Sequence, residues 1–293
     1  MNQPIELRKS RDFGQIINDS FTFFKENFKP LTTALLIITG LFLIAGTISN
    51  VVSSLSMIDM YSSNIDNSQI FESHSVSYII TVLVNALILM LTQTFIHLTT
   101  LCYISVYLQK GNKQPTFAEV WGYFKYYFLR AIGSGLLIVV LICIAFVACI
   151  IPGIYLTPIF YLIIPIIVIE NASFKYAYNK SFRLIKENWW FVFGVIFVMG
   201  LIIGMAAGIV SVPMTIIAAG SKFFSLKSFT VPVLIVFSTL RSLVTIAYAL
   251  PSIAICMCYF TLSEEKEGLG LLGRIENLGK SDHTDTGLPA EEF

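Results

Sequence analysis

Six long apolar runs constrain the fold of this chain more than any other feature. They lie at about residues 31–57, 76–108, 131–151, 154–169, 190–219 and 231–262. About 20 apolar residues in a helix cross a hydrocarbon core of about 30 Å. Only 13% of the residues are charged, against about 25% in a soluble domain. We therefore predict an all-α integral membrane protein with six transmembrane helices in residues 1–262 and a flexible polar tail in residues 263–293.

The count of six depends on the pair Pro152-Gly153, which we interpret as a tight turn between two spans. Lys and Arg accumulate on the cytoplasmic side of membrane proteins. With six spans, all Lys and Arg residues outside the apolar runs fall on one side, except Lys222 and Lys227. We therefore expect both termini in the cytoplasm. If the pair only kinks a helix, the chain has five spans and its C-terminus lies outside.

An internal repeat relates two polar segments that precede apolar runs. Residues 13–28 align with residues 174–189 at an offset of 161, with seven of sixteen positions identical. The identical pairs are Phe13/Phe174, Asn18/Asn179, Ser20/Ser181, Phe21/Phe182, Lys25/Lys186, Glu26/Glu187 and Asn27/Asn188. A fainter third copy begins at Phe117. This pattern predicts three parallel repeats of an interfacial amphipathic helix and a transmembrane hairpin, over about 12–108, 116–169 and 173–262.

Each copy of the repeat begins with a helix-capping residue, which is Asp12, Thr116 or Ser173. In a helix, the copies place aromatic residues on one face and Lys on the other, as in helices that lie in a membrane interface. A helix packed on a soluble core is the alternative interpretation. The residues expected at the interface are Phe13, Phe21, Phe28, Lys25, Trp121, Phe174, Phe182, Lys186 and Trp189.

Four segments of the sequence carry a family resemblance. They are residues 11–21, 152–156, 165–170 and 264–275. In these segments the chain resembles the bacterial membrane-domain family associated with glycerophosphoryl diester phosphodiesterases, and especially its stand-alone relatives of unknown function. The resemblance implies a protein of the bacterial inner membrane that lacks the catalytic domain.

The sequence contains no pattern that is typical of an enzyme. We find no nucleophile–base pair, metal-ligand spacing, phosphate loop or catalytic His–Arg pair. Some relatives are labelled carotene-cleaving oxygenases, which need four His iron ligands, but this chain has only His74, His97 and His283. We therefore predict no catalytic residue, no cofactor and no metal. A net charge of +1 also argues against binding of nucleic acid.

Two sets of polar residues inside the spans are candidates for an intramembrane site. Arg241 lies well inside the sixth run, at roughly the depth of Asn85. Such an Arg normally faces a partner or a wet cavity, although it can also snorkel to the surface. Gln93 and His97 share one helix face, where an interhelical hydrogen bond and a proton or substrate path are the two interpretations.

Gly200, Gly204 and Gly208 are spaced by four residues, a pattern that lets a second helix approach closely, within the chain or between chains. Our leading hypothesis is a non-catalytic membrane protein that binds or organises membrane lipid or an envelope partner, which can be itself or another membrane protein. The alternative is a permease for a small or lipidic solute with a site near Arg241.

Overall fold

The computed structural model describes residues 5–62, 67–148, 150–220 and 227–268, and all regular structure in these ranges is helical. A 3₁₀ turn at Ile246–Tyr248 separates the last two helices. The helices are α1 (Phe13–Glu26), α2 (Phe28–Ser62), α3 (Asn67–Gln109), α4 (Phe117–Ala148), α5 (Ile150–Glu170), α6 (Phe174–Ile185), α7 (Trp189–Gly220), α8 (Lys227–Thr245) and α9 (Ala249–Glu267).

Six helical segments of the described chain are long and apolar enough to cross a membrane. They are Phe28–Leu55, Ile79–Gln109, Phe117–Val147, Ile150–Glu170, Trp189–Pro213 and Pro232–Glu267. The prediction of an all-helical membrane protein with six spans is thereby confirmed. The sixth span is broken by the 3₁₀ turn between α8 and α9. Its helix continues to Glu267, four residues past the predicted start of the tail at residue 263, and residues 269–293 lie outside the described ranges.

The turn between the third and fourth spans differs from its prediction. Pro152 and Gly153 lie in the first turn of α5 and not between two helices. Proline fits there because the N–H groups of a first turn have no partner within the helix. A Cβ on Gly153 would lie only 2.6 Å from the ring of Phe146. The glycine therefore lets α5 pack closely against α4.

Two of the three repeat copies form separate short helices. Asp12 and Gln15 cap α1 reciprocally, with the backbone N–H of Gln15 donating to Asp12 Oδ1 at 2.7 Å. At the start of α6, the hydroxyl of Ser173 accepts from the N–H of Tyr176 at 3.4 Å. The copy at Phe117 is different, because α4 continues into the third span without a break. The expectation of a separate third interfacial helix is therefore wrong.

Helix α9 lies at the centre of the bundle. Every residue from Ala249 to Ser263 is buried except Pro251, and the helix packs against α1, α3, α5, α6 and α7. It ends at Gly268, whose left-handed backbone (φ +59°) is the usual helix C-cap conformation of glycine. Because α1 and α6 both pack on this central helix, the two repeat copies are anchored to a common core.

Candidate functional site

A cavity of about 140 Å³ lies among α2, α3 and α8. Its polar lining includes Arg241 from α8, Asn85 and Thr92 from α3, and Asn50 from α2. The apolar lining includes Phe42, Leu43, Ile88 and Leu89. The cavity therefore brings together Arg241 and Asn85, the two residues that sequence reasoning placed at similar depths.

The guanidinium of Arg241 makes no hydrogen bond or ion pair with any residue that the structure describes, and the side chain is exposed. Arg241 is nine residues from Pro232, the first residue of the sixth span, or roughly 13 Å at about 1.5 Å per residue. Insertion scales give a cost of about 2.5–3.5 kcal/mol for an Arg near the centre of a span. An anion or water at the guanidinium would offset this cost.

The other polar groups of the cavity are already engaged. Asn85 donates its amide to Ser53 Oγ and to Thr81 O. Thr92 donates to Ile88 O at 2.7 Å, and Asn50 donates to the carbonyl of its own helix four residues earlier at 2.8 Å. Both amide donors of Asn85 and one of Asn50 are therefore used, and the guanidinium of Arg241 supplies most of the free donors in the cavity.

The second predicted pair, Gln93 and His97, does not join this cavity. Gln93 is half-buried and is not part of the lining. His97 Nδ1 lies 2.8 Å from Ser252 Oγ. Ser252 is in the first turn of α9, directly after the break in the sixth span. This contact joins α3 to α9 and holds the segment that follows the 3₁₀ turn.

A second site lies where α5, α6 and α9 meet, and we call it the Lys180 cluster (Glu170, Lys180, Glu267 and Tyr259). Lys180 is 4% exposed, and its Nζ donates to Glu170 Oε1 and Glu267 Oε2, at 2.6 Å each. Tyr259 donates its hydroxyl to Glu170. Burial lowers the pKa of Lys180, but its hydrogen bonds and charge interactions with the two carboxylates outweigh burial and raise the pKa above the ordinary value.

The Lys180 cluster borders a cavity of about 240 Å³, which Arg8 and Tyr176 also line. Sequence reasoning counted Lys180 only as a cytoplasmic charge. The sequence feature that could have identified its burial is helical spacing, because Lys180 shares the buried face of α6 with Ala177, Ser181 and Leu184. A charged residue on the apolar face of a helix indicates a buried partner.

The repeat offset relates the Lys180 cluster to an ion pair near the N-terminus. Lys9 Nζ lies 3.7 Å from Asp19 Oδ2. At the repeat offset of 161 residues, Lys9 corresponds to Glu170 and Asp19 corresponds to Lys180. The two pairs therefore occupy equivalent positions with reversed charges. Asp19 also accepts from the buried Arg11 at 2.9 Å, so in each copy an ion pair joins the middle of the short helix to the residues before it.

The apolar faces of α1 and α6 are divided between two environments. On α1, Ile16, Ser20 and Phe23 are buried, and Ser20 Oγ lies 3.5 Å from the sulfur of Met257 in α9. Phe21 lies at the edge of this face and is 38% exposed, and Phe28, which the repeat predicted in the same helix, begins α2 and is 50% exposed. The bundle therefore covers only the centre of the apolar face.

Helix α6 is covered more fully. Its buried residues pack on α5 and α9, while Phe174 and Phe182 are half-buried and Lys186 is exposed. Tyr178 contacts Phe160 of α5, with ring centroids 6.5 Å apart. Trp189 donates its indole N–H to Tyr155 O at 2.9 Å and stacks on the Tyr155 ring. The second copy therefore lies along α5, and its apolar face is covered more fully than that of the first.

The glycine stripe of α7 does not contact another helix of the same chain. No described atom outside α7 lies within 4 Å of the Cβ position at Gly200, Gly204 or Gly208. A close contact within the chain is therefore excluded for the described residues, and a contact between chains stays a prediction.

Comparison with family models, curated proteins and solved structures found no match. The resemblance drawn from the sequence motifs therefore stays a prediction. Among the described residues, no three His, Cys, Asp or Glu side chains are grouped as metal ligands would be.

Proposed function

We propose that this protein is a non-catalytic membrane protein that binds and organises membrane lipid through aromatic surfaces next to Lys residues. We further propose that it lies in a bacterial inner membrane with both termini in the cytoplasm, and that its two clear repeat copies face the cytoplasmic leaflet. In this proposal α1 makes the larger lipid contact, because α6 exposes less of its apolar face.

The observation that carries the proposal is the exposed aromatic edge of α1. Phe13 and Phe21 belong to the apolar side of this amphipathic helix but are 37% and 38% exposed, and the adjoining Phe28, the first residue of α2, is 50% exposed. Lys25 lies next to Phe21 and Phe28 on the helix surface and is also exposed. Aromatic residues with adjacent Lys favour an interface with anionic lipid, where each basic residue contributes about 1 kcal/mol.

The start of α4 adds a second surface of the same kind. Phe117 and Trp121 are 36% and 37% exposed and their rings are stacked, with centroids 6.3 Å apart. Lys125 Nζ lies 5.0 Å from the centre of the Trp121 ring. Tyr126, one residue further, is 61% exposed. These turns precede the apolar part of the third span, where membrane proteins concentrate Trp and Tyr.

The experiment is a count of the phospholipids that the full chain retains, by native mass spectrometry after gentle extraction. A variant with Phe21→Ser, Lys25→Gln and Trp121→Ser should retain fewer anionic lipids than the parent. The matched control is Asn18→Ser with Thr22→Ser, which changes polar positions of the same helix. Equal lipid retention by the parent and the aromatic–basic variant, with both folded, would contradict the proposal.

A second candidate function is a permease for a small or lipidic solute. The observation that favours it is the broken sixth span next to the Arg241 cavity, since broken helices line the sites of many transporters. A cysteine placed at Asn85 should then react with an impermeant thiol reagent from either side of the membrane. Reaction from one side alone, or from neither, would count against a permease.

A further inference from the structure

We infer that the Arg241 cavity is a binding site for the phosphate group of a membrane lipid. This site is separate from the aromatic surfaces of α1 and α4, so the inference goes beyond the proposed function. It begins from the guanidinium of Arg241, which is exposed at a cavity within the apolar part of a span and has no partner among the described residues.

The chemistry of the lining selects an anion. A guanidinium has five N–H donors in a planar fork that matches phosphate or carboxylate oxygens. The amide of Asn85 donates to Ser53 Oγ and Thr81 O, and the amide of Asn50 donates once, to Gly46 O. No Asp or Glu is part of the lining, so nothing in the cavity supplies the negative charge.

The shape and position of the cavity select a lipid as the carrier of that anion. Phe42, Leu43 and Ile88 contribute apolar surface beside Arg241. Leu89 also lines the cavity and is 44% exposed on the outside of the bundle. The opening therefore faces the lipid side of α3 and α8, where an acyl chain can lie against the apolar residues while the phosphate reaches the guanidinium. A soluble anion would have to cross lipid to reach the same place.

The experiment measures lipid binding to the purified full chain in detergent by native mass spectrometry. The probes are dioleoyl phosphatidic acid and dioleoylglycerol, which differ only in the phosphate. We expect the parent to bind the phosphatidic acid in preference to the glyceride, and Arg241→Gln to weaken the first bound phosphatidic acid at least about tenfold, as loss of a charged hydrogen bond does. Binding of dioleoylglycerol should not change.

Three further variants make the result specific. Arg241→Lys should retain part of the preference, because a charge remains without the planar fork. Asn85→Asp should weaken phosphatidic acid binding, because it introduces a carboxylate into the cavity. Lys113→Gln removes one charge from the exposed loop between α3 and α4 and should leave the first binding event unchanged. Thermal unfolding of each variant establishes that it is folded.

Two results would overturn the inference. The first is a folded Arg241→Gln protein that binds phosphatidic acid as tightly as the parent, which would mean that Arg241 only reaches the membrane surface. The second is displacement of the lipid by inorganic phosphate at equal concentration, which would make a soluble anion the occupant. Loss of binding in the Phe21, Lys25 and Trp121 variant alone would bear on the proposed function and not on this site.

Discussion

Replacement of Lys180 tests how α6, the second repeat copy, is held to α5 and α9. Lys180→Met removes the only cation that contacts both Glu170 and Glu267 among the described residues, while the side chain keeps nearly the same length. Two carboxylates then remain close together without their shared partner. The variant should unfold more easily than the parent, because an unpaired buried charge is strongly unfavourable.

The expected loss can be worked from the contacts. Removal of one partner from a buried ion pair costs about 3–5 kcal/mol. The side chains of Glu170 and Glu267 are each 19% exposed, so water partly solvates them. Glu267 also retains Arg183 at 2.5 Å and Ser263 at 3.2 Å. These partners reduce the loss, and we expect about 2–3 kcal/mol.

The chain provides its own reporter for the unfolding assay. Cys102, Cys256 and Cys258 are free and buried, whereas Cys143 is exposed. In a background with Cys143→Ser and Cys149→Ser, a thiol-reactive dye labels the buried cysteines only when the bundle opens. Lys186→Met is the matched control, since Lys186 is on the following turn of the chain and is exposed. Glu170→Gln combined with Lys180→Met should recover part of the lost stability. Unfolding of Lys180→Met at the temperature of the parent would refute the reasoning.

The same cluster makes a prediction about pH. The pKa of Lys180 is raised in the folded protein by Glu170 and Glu267. Its contribution to stability is therefore fully present below the ordinary Lys pKa of about 10.4 and is lost as the pH rises through the higher folded value. From neutral pH upwards, the stability difference between the parent and Lys180→Met should persist to about pH 10 and shrink above it. A difference that already disappears by pH 8 would contradict this assignment.

Three further predictions concern packing and topology. Asn27→Leu should destabilise the protein by about 1–3 kcal/mol, measured by the same dye assay, because the buried Tyr103 hydroxyl donates to Asn27 Oδ1 at 2.9 Å. Gly204→Ala should raise the stability of a single chain by up to about 1 kcal/mol, since its Cβ position is open; a loss of cross-linked dimer in the same variant would show a contact between chains. Cysteines placed at Asn64 and Ser281, which lie outside the described ranges, should be labelled from outside intact cells at Asn64 only, and labelling at Ser281 would contradict six spans with both termini inside.

The sequence predicts the spans of this protein well because apolar length and helix caps are local properties. Each of the six apolar runs lies within, or largely overlaps, a helical span, and the caps at Asp12 and Ser173 form as expected. The position of the turn near Pro152 was wrong by a few residues. Pro and Gly are typical of turns. Here the glycine is required because the ring of Phe146 in the neighbouring helix leaves no space for a side chain at Gly153. A contact between two helices cannot be read from the local sequence.

Contacts between distant segments account for what the sequence did not predict. Sequence reasoning treated the apolar face of α1 as one lipid-facing surface, whereas α9 covers its centre and leaves Phe21 at the edge. The burial of Lys180 depends on Glu267, which is 87 residues away. In contrast, the similar depth of Arg241 and Asn85, which share a cavity, could be predicted by counting residues from the outer ends of the second and sixth spans, which run in the same direction.

The most direct test of the lipid-contact proposal is a depth measurement along α1 by spin labels in vesicles that contain phosphatidylglycerol. Labels at Phe21 in α1 and at Phe28, the first residue of α2, should be accessible to oxygen in the bilayer, whereas labels at Asn18 and Thr22 should be accessible to a water-soluble relaxation agent. The proposal predicts this division and a deeper position of Phe21 in anionic vesicles than in phosphatidylcholine vesicles. Equal water accessibility at all four positions would contradict the account.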